Sequence, residues 1–172
     1  MRDHFIMFAR YNDWANRRLY ATASKMLADD YRADRGAFFR SVHGTLNHLL
    51  TTDRIWMKRF TGQGDAPASL DAIVHDNFDD LRSARGREDA RILAWTQSLD
   101  EAALNGVFRF TRASSPELYE QQLGPALSHL FNHQTHHRGQ AHALISGLGY
   151  DAPELDLLFF QREAGIGGAR KL

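Results

Sequence analysis

Four histidines fall within nine residues, His129-Leu-Phe-Asn-His133-Gln-Thr-His136-His137, in a chain that holds nine histidines and no cysteine. Without thiolates, metal or acid–base chemistry is left to imidazole, carboxylate and hydroxyl groups. Helical geometry sorts the cluster. At about 100° per residue from Leu127, the apolar residues Leu127, Leu130, Phe131, Ala141, Ile145 and Leu148 occupy an arc from roughly −60° to +40°. His137 falls at about −80° and His133 at about −120°, on one shoulder of that arc and toward the bundle interior. His136 and His129 fall near 180° and 200°, where side chains are solvated, and are expected at the surface. Two imidazoles at i and i+4 project side by side and suit one metal ion. A spacing of this kind also occurs with purely structural or surface histidines. The His-Glu-x-x-His pattern of metallopeptidases is missing, because Asn132 and Gln134 flank His133 where a general-base glutamate would stand.

A third donor has to come from another helix. His48, in Thr45-Leu-Asn-His48-Leu-Leu-Thr-Thr-Asp53, is the best candidate, since it sits mid-helix among core residues; His43 lies nearer the helix start. Asp53 falls in the middle of its own helix's apolar arc, where a carboxylate is costly unless partnered. It is expected either to pair with a core Arg, Tyr or Trp or to orient a ligand histidine. His4 and His75 are placed on helices without a partner at ligand spacing. Trp14, Trp56 and Trp95 read as packing residues able to wall a pocket. Arg138 and Gln140 read as solvated, with contact to an anionic ligand as the alternative, and Asp156 as a cap or structural pair.

The elements that must carry these residues are helical. Apolar residues recur with helical period over 3–28, over 37–61 up to Gly62-Gln-Gly64, from a capping Ser69 through Leu99 as one long helix bent at Gly86, and from Gly124-Pro125 to Gly147–Gly149. A shorter helix is expected over 153–163 and a loose tail over 165–172. Between the third and fourth long helices, 107–111 and 119–123 alternate around Ser114-Ser-Pro116, which predicts a small hairpin. Four long helices in 172 residues make an all-α, single-domain four-helix bundle. Lys+Arg 21 balances Asp+Glu 21, so the chain lacks the charge of a general nucleic-acid or anionic-membrane binder. Neither a signal peptide nor a membrane span is expected, and a cytoplasmic protein follows. Phosphate-loop, dinucleotide and serine-elbow motifs are missing, as are the Glu-x-x-His pairs of di-iron bundles.

Three motifs in order, Tyr11-Asn-Asp-Trp14-Ala-Asn16-Arg-Arg-Leu19, Thr45-Leu-Asn-His48-Leu-Leu-x-x-Asp53-x-x-Trp56 and Asn132-His133-x-x-His136-His137-Arg-Gly-Gln140, resemble the DinB-like (YfiT-related) family of damage-inducible metalloproteins, across about residues 5–160. The resemblance implies a four-helix bundle with one divalent ion, zinc or nickel, held by His48, His133 and His137. It also implies a homodimer and small-molecule chemistry: a metal-dependent S-transferase using a low-molecular-weight thiol, with a metal-dependent hydrolase or a non-enzymatic stress-induced binding protein as alternatives. Three protein ligands would leave one coordination position open.

Overall fold

The computed structural model describes residues 1–112 and 115–168. Four long helices, α1 (Arg2–Ala23), α3 (Val42–Thr61), α4 (Phe78–Ser98) and α6 (Leu123–Gly147), form the bundle. Around the ring, α1 packs on α4 and α6, and α3 packs on the same two. Short helices α2 (Ala28–Arg32), α5 (Glu101–Asn105) and α7 (Leu157–Glu163) fill the connections. An antiparallel hairpin of β1 (Val107–Arg112) and β2 (Ser115–Gln122) precedes α6, with Val107 opposite Gln122 and Phe110 opposite Tyr119.

The bundle, the hairpin and the C-terminal helix were legible in the periodicity; several boundaries differ. The first helix stops at Ala23, and the Ala28–Arg32 turn is a separate helix. The second begins at Val42, capped by Ser41, whose Oγ accepts the Gly44 N–H at 3.0 Å. Ser69 does not start the third helix. Its hydroxyl bonds to the neighbouring Asp71, and Asn77 caps instead, its Oδ1 accepting from the Asp79 and Asp80 amides at 2.9 and 3.1 Å. Leu70 and Ile73 remain about half exposed, so no buried face holds residues 62–77 in a helix. From Phe78 to Ser98 the helix is continuous through Gly86. The C-terminal helix begins at Leu157 rather than 153, and its N-cap Asp156 makes no capping side-chain bond. β2 begins at Ser115, so Pro116 belongs to a strand, and Ser114 lies outside the described residues. Of the expected tail, Ile166–Gly168 form a 3₁₀ turn and 169–172 lie outside the described residues.

Two apolar blocks make up most of the core. One gathers Leu19, Leu46, Leu49, Leu50, Leu81 and Ile145; the other gathers Phe5, Met57, Ile92, Leu104, Leu127 and Leu130. On every long helix, polar residues interrupt the apolar stripe between the two blocks: Asn12 and Asn16 on α1, Asp53 on α3, Arg85 and Asp89 on α4, Gln134 and Arg138 on α6. All seven are at most 2% exposed.

Six of these residues close a ring across the bundle. Arg138 donates to the Asn12 Oδ1; Asn12 Nδ2 donates to Asp89 at 3.0 Å. Arg85 bridges Asp89 at 2.9 Å and Asp53 at 2.7 Å. Gln134 donates to Asp53, and a long 3.5 Å contact from Arg138 to the Gln134 Oε1 completes the circuit. Asn16 adds two further bonds to Asp89. Two guanidinium groups and two carboxylates balance in charge, the arrangement that makes a buried ionic layer tolerable. Burial raises the Asp53 carboxyl to about 6, against the pull of Arg85, and raises Asp89 for the same reason. Both of Asp53's partners belong to this ring, so the structural pairing with a core arginine is the role it fills. Arg138 is likewise a core residue and not a solvated one, its guanidinium 5.0 Å from the Tyr11 ring centroid.

Candidate metal centre

His48 projects from the middle of α3, and His133 and His137 from successive turns of α6, the helix packed beside it. Each of the three offers a ring nitrogen, and these atoms all lie within 4.8 Å of one another. The Nε2 atoms of His48 and His133 are 3.2 Å apart. Two nitrogens bound tetrahedrally to one ion at about 2.05 Å would stand about 3.4 Å apart. The spacing therefore fits a shared ion.

The far sides of the rings show how these nitrogens are aimed. His48 Nδ1 lies 2.7 Å from the Leu70 carbonyl, and His137 Nδ1 lies 2.8 Å from the Gln140 Oε1. An acceptor at Nδ1 holds the proton there and leaves Nε2 with its lone pair, the tautomer a metal requires. Leu70 can accept because residues 62–77 are not helical, so its carbonyl is not spent on a helical amide. The departure from the expected helix thus places the oxygen that orients His48. Gln140, read from sequence as solvated, touches His137 and also contacts the exposed His136 at 3.1 Å. His133 Nδ1 is buried and, among the described residues, has no hydrogen-bond partner.

Burial disfavours the charged form of all three imidazoles. It pulls His48 down to about 4, partly opposed by the Leu70 carbonyl. His133 is lowered to about 3, by burial and then by its histidine neighbours, and His137 is lowered for the same first reason. Neutral donors are what a divalent ion needs at pH 7.

Phe39 closes one side. Its ring stacks on His48 with centroids 3.6 Å apart and 17° between planes, and meets His137 edge-on at 5.5 Å. The turn that presents it is tight: Arg40, in the left-handed region at φ 67°, donates its N–H to the Ala37 carbonyl at 2.8 Å. Gly44 is required beside it, since a Cβ there would lie 2.1 Å from the Phe39 carbonyl oxygen. Phe39 also forms part of the wall of a cavity of about 680 Å³, lined besides by His48, His133, Thr52, Trp56, Leu70 and His129 among others. Among the described residues no cysteine, aspartate, glutamate or fourth histidine joins the cluster.

A model of the DinB family matches residues 1–170. The chain belongs to the DinB family. It is also 24% identical over 162 residues to Protein DinB of Bacillus subtilis (strain 168), covering 91% of this chain and 92% of that protein. Family membership agrees with the resemblance read from the three motifs, whose residues divide into two tasks in this DinB bundle. His48, His133 and His137 converge on the candidate centre, and Gln140 orients one of them. Asn12, Asp53 and Arg138 are members of the buried ring, and Asn16 bonds to it through Asp89.

Of the remaining histidines, His129 is exposed as expected, yet its ring lies 5.1 Å from Trp56 at the cavity wall. His75 is on a loop rather than a helix. His43 is buried, near Arg32 at 3.4 Å and the His75 carbonyl at 3.3 Å, away from the triad. Sequence reasoning missed Arg85, Asp89 and Gln134 as members of the ring. A signal existed for the first two: charged residues at i and i+4 on the face that also carries Leu81 and Ile92. Among the described residues no helix is long and apolar enough to cross a membrane.

Proposed function

We propose that this DinB-family protein is a metal-dependent enzyme in which His48, His133 and His137 hold one divalent ion, zinc or nickel, and that it transfers a low-molecular-weight thiol to an electrophilic small molecule. The observation that carries the reading is the convergence of three neutral imidazoles, two of which line an open cavity, with no cysteine, carboxylate or fourth histidine joining them among the described residues. A centre devoted to structure would be closed by a fourth protein ligand. An ion held by three neutral donors would lower the pKa of a coordinated thiol and keep a position for it.

The chain's own residues supply the rest. Leu70 and Gln140 fix the two imidazole tautomers. Phe39 covers one face of the site and keeps water from His48. Trp56 and Leu70 give the cavity apolar walls for the electrophile. Hydrolysis is the second reading, and one observation weighs against its simplest form: Asp53, the carboxylate nearest to hand in the sequence, is bound to Arg85 and Gln134 and does not line the cavity. Cytoplasmic location, homodimerisation and indifference to nucleic acid belong to the same reading.

Elemental analysis of protein made without a histidine tag tests the centre. About one ion per chain is expected, lost in His48→Ala, His133→Ala and His137→Ala and largely kept in His136→Ala; metal retained in the first three would overturn the ligand set. Loaded protein is then screened with thiols and electrophiles, and turnover of an ester or amide without thiol would favour hydrolysis.

A further inference from the structure

Thr52 stands one turn beyond His48 on α3, at one of the two positions that the motif from His48 to Asp53 leaves open. The family resemblance therefore gives it no task. It is only 4% exposed, and it forms part of the wall of the cavity that His48 and His133 also line.

Its hydroxyl behaves unlike those of the other buried threonines. A threonine inside a helix commonly gives its proton to the carbonyl one turn back. Thr45 and Thr96 do so, donating to the Ser41 and Ile92 carbonyls at 2.8 Å each. Thr51 donates to the Ala72 carbonyl at 3.3 Å. Thr52 bonds to no carbonyl among the described residues; its Oγ1 is turned to the His48 ring, 3.3 Å from Nε2 and 3.5 Å from Nδ1. His48 Nδ1 keeps its proton for the Leu70 carbonyl, so Nε2 is the acceptor left to Thr52, and the contact is long for a hydroxyl donor. An ion held by His48 would take that same lone pair. Loading thus strips the Thr52 hydroxyl of its acceptor within 3.3 Å of a ligating nitrogen, and a buried donor left without a partner is costly. The other hydroxyl on the cavity wall, that of Ser69, is engaged with Asp71.

We propose that Thr52 donates its hydroxyl proton to the coordinating atom of the small molecule, and that this bond selects ligands whose coordinating atom remains an acceptor, a thiolate sulfur rather than a neutral ring nitrogen. The inference rests on the metal-centre reading above and adds to it the residue that reads the reacting atom of the ligand. A thiolate keeps lone pairs for a second contact, whereas an imidazole nitrogen spends its only one on the ion. The thiol's own proton leaves to the buffer on binding, so the sulfur that Thr52 meets is an anion, the stronger kind of acceptor.

Cobalt(II)-loaded protein at one fixed pH, titrated with ethanethiol and separately with imidazole, tests this through the cobalt absorption bands. Thr52→Val keeps the shape of the side chain and removes the hydroxyl. Its affinity for ethanethiol is expected to fall about tenfold, the loss of one hydrogen bond to a charged acceptor, with imidazole affinity and metal content as in wild type. Thr52→Ala, which cannot crowd His48, should behave in the same way, and Thr52→Ser should recover most of the thiol affinity. An unchanged thiol affinity in the Val and Ala variants, an equal loss for both ligands, or no recovery in the Ser variant would overturn the proposal, while the thiol band of wild type still upholds the metal centre. Failure of wild-type protein to take up cobalt would overturn both.

Discussion

Replacing Asp53 by Asn tests the buried ring most directly. The change keeps the side chain's size and an oxygen for Gln134 to donate to, and removes one charge from a group that is fully buried. Arg85, 2% exposed, then faces Asp89 alone, and the layer of two guanidinium groups and two carboxylates carries a net positive charge. Breaking a buried pair by removing one member costs about 3–5 kcal/mol. With an unfolding entropy of about 2.1 cal/mol/K per residue, a chain of this length would lose about 8–14 °C in thermal midpoint. Differential scanning calorimetry and urea unfolding of metal-free protein measure the loss without interference from ligand binding. The companion variant Arg85→Met and the double variant complete a cycle. The double variant should be more stable than the sum of the singles by about 1 kcal/mol or more, because each removes the other's uncompensated charge. A cost below about 1 kcal/mol for Asp53→Asn, or strict additivity in the cycle, would refute the reasoning that charge balance in this layer holds the bundle.

Two further outcomes are expected. Because His48 and His133 are lowered to about 4 and about 3, the folded chain keeps them neutral while the unfolded chain protonates near 6.5. Their contribution is thus present above pH 6.5 and lost as pH falls toward 4. Asp53, raised to about 6, acts in the opposite sense over part of that range, since the folded chain takes up its proton first. Comparing thermal midpoints of metal-free wild type and His48→Gln/His133→Gln between pH 7.5 and 4.5 isolates the imidazoles; an equal acid loss in both would contradict the assignment. Gly44→Ala should destabilise by about 1–3 kcal/mol, the usual range for overpacking, and weaken metal retention, because Phe39 must leave its place on His48. Gly86→Ala, with nothing within 4 Å of its added Cβ, serves as the control and should stabilise by up to about 1 kcal/mol, with equal behaviour of the two glycines as the contrary result.

Periodicity reached the bundle because each of the four helices keeps apolar residues on one face at both ends of the buried polar layer, and it reached His133 and His137 because a short span of one helix fixes their relative angle. It misjudged residues 69–77 because the spacing of Leu70 and Val74 is helical while only Val74 packs against the core; Leu70 and Ile73 stay half exposed. Phe39's place over His48 was hidden for a different reason. It depends on one positive φ at Arg40 and one missing side chain at Gly44, which leave no periodic trace. Asp53 could be flagged as needing a partner, but Arg85 lies on another helix, and the pairing becomes visible only once α3 and α4 are set side by side.

The buried ring also bears on how the centre is assembled. Sliding α6 past α3 by one turn, about 5.4 Å, would separate Gln134 from Asp53 and Arg138 from Asn12, leaving charges alone in an apolar interior. The helices that carry His48, His133 and His137 are therefore held in register by contacts that involve no metal ion. If the three histidines hold an ion as proposed, such a chain would fold first and be loaded afterwards: it could surrender or exchange the metal without unfolding, and its affinity would not be diluted by the cost of ordering the site.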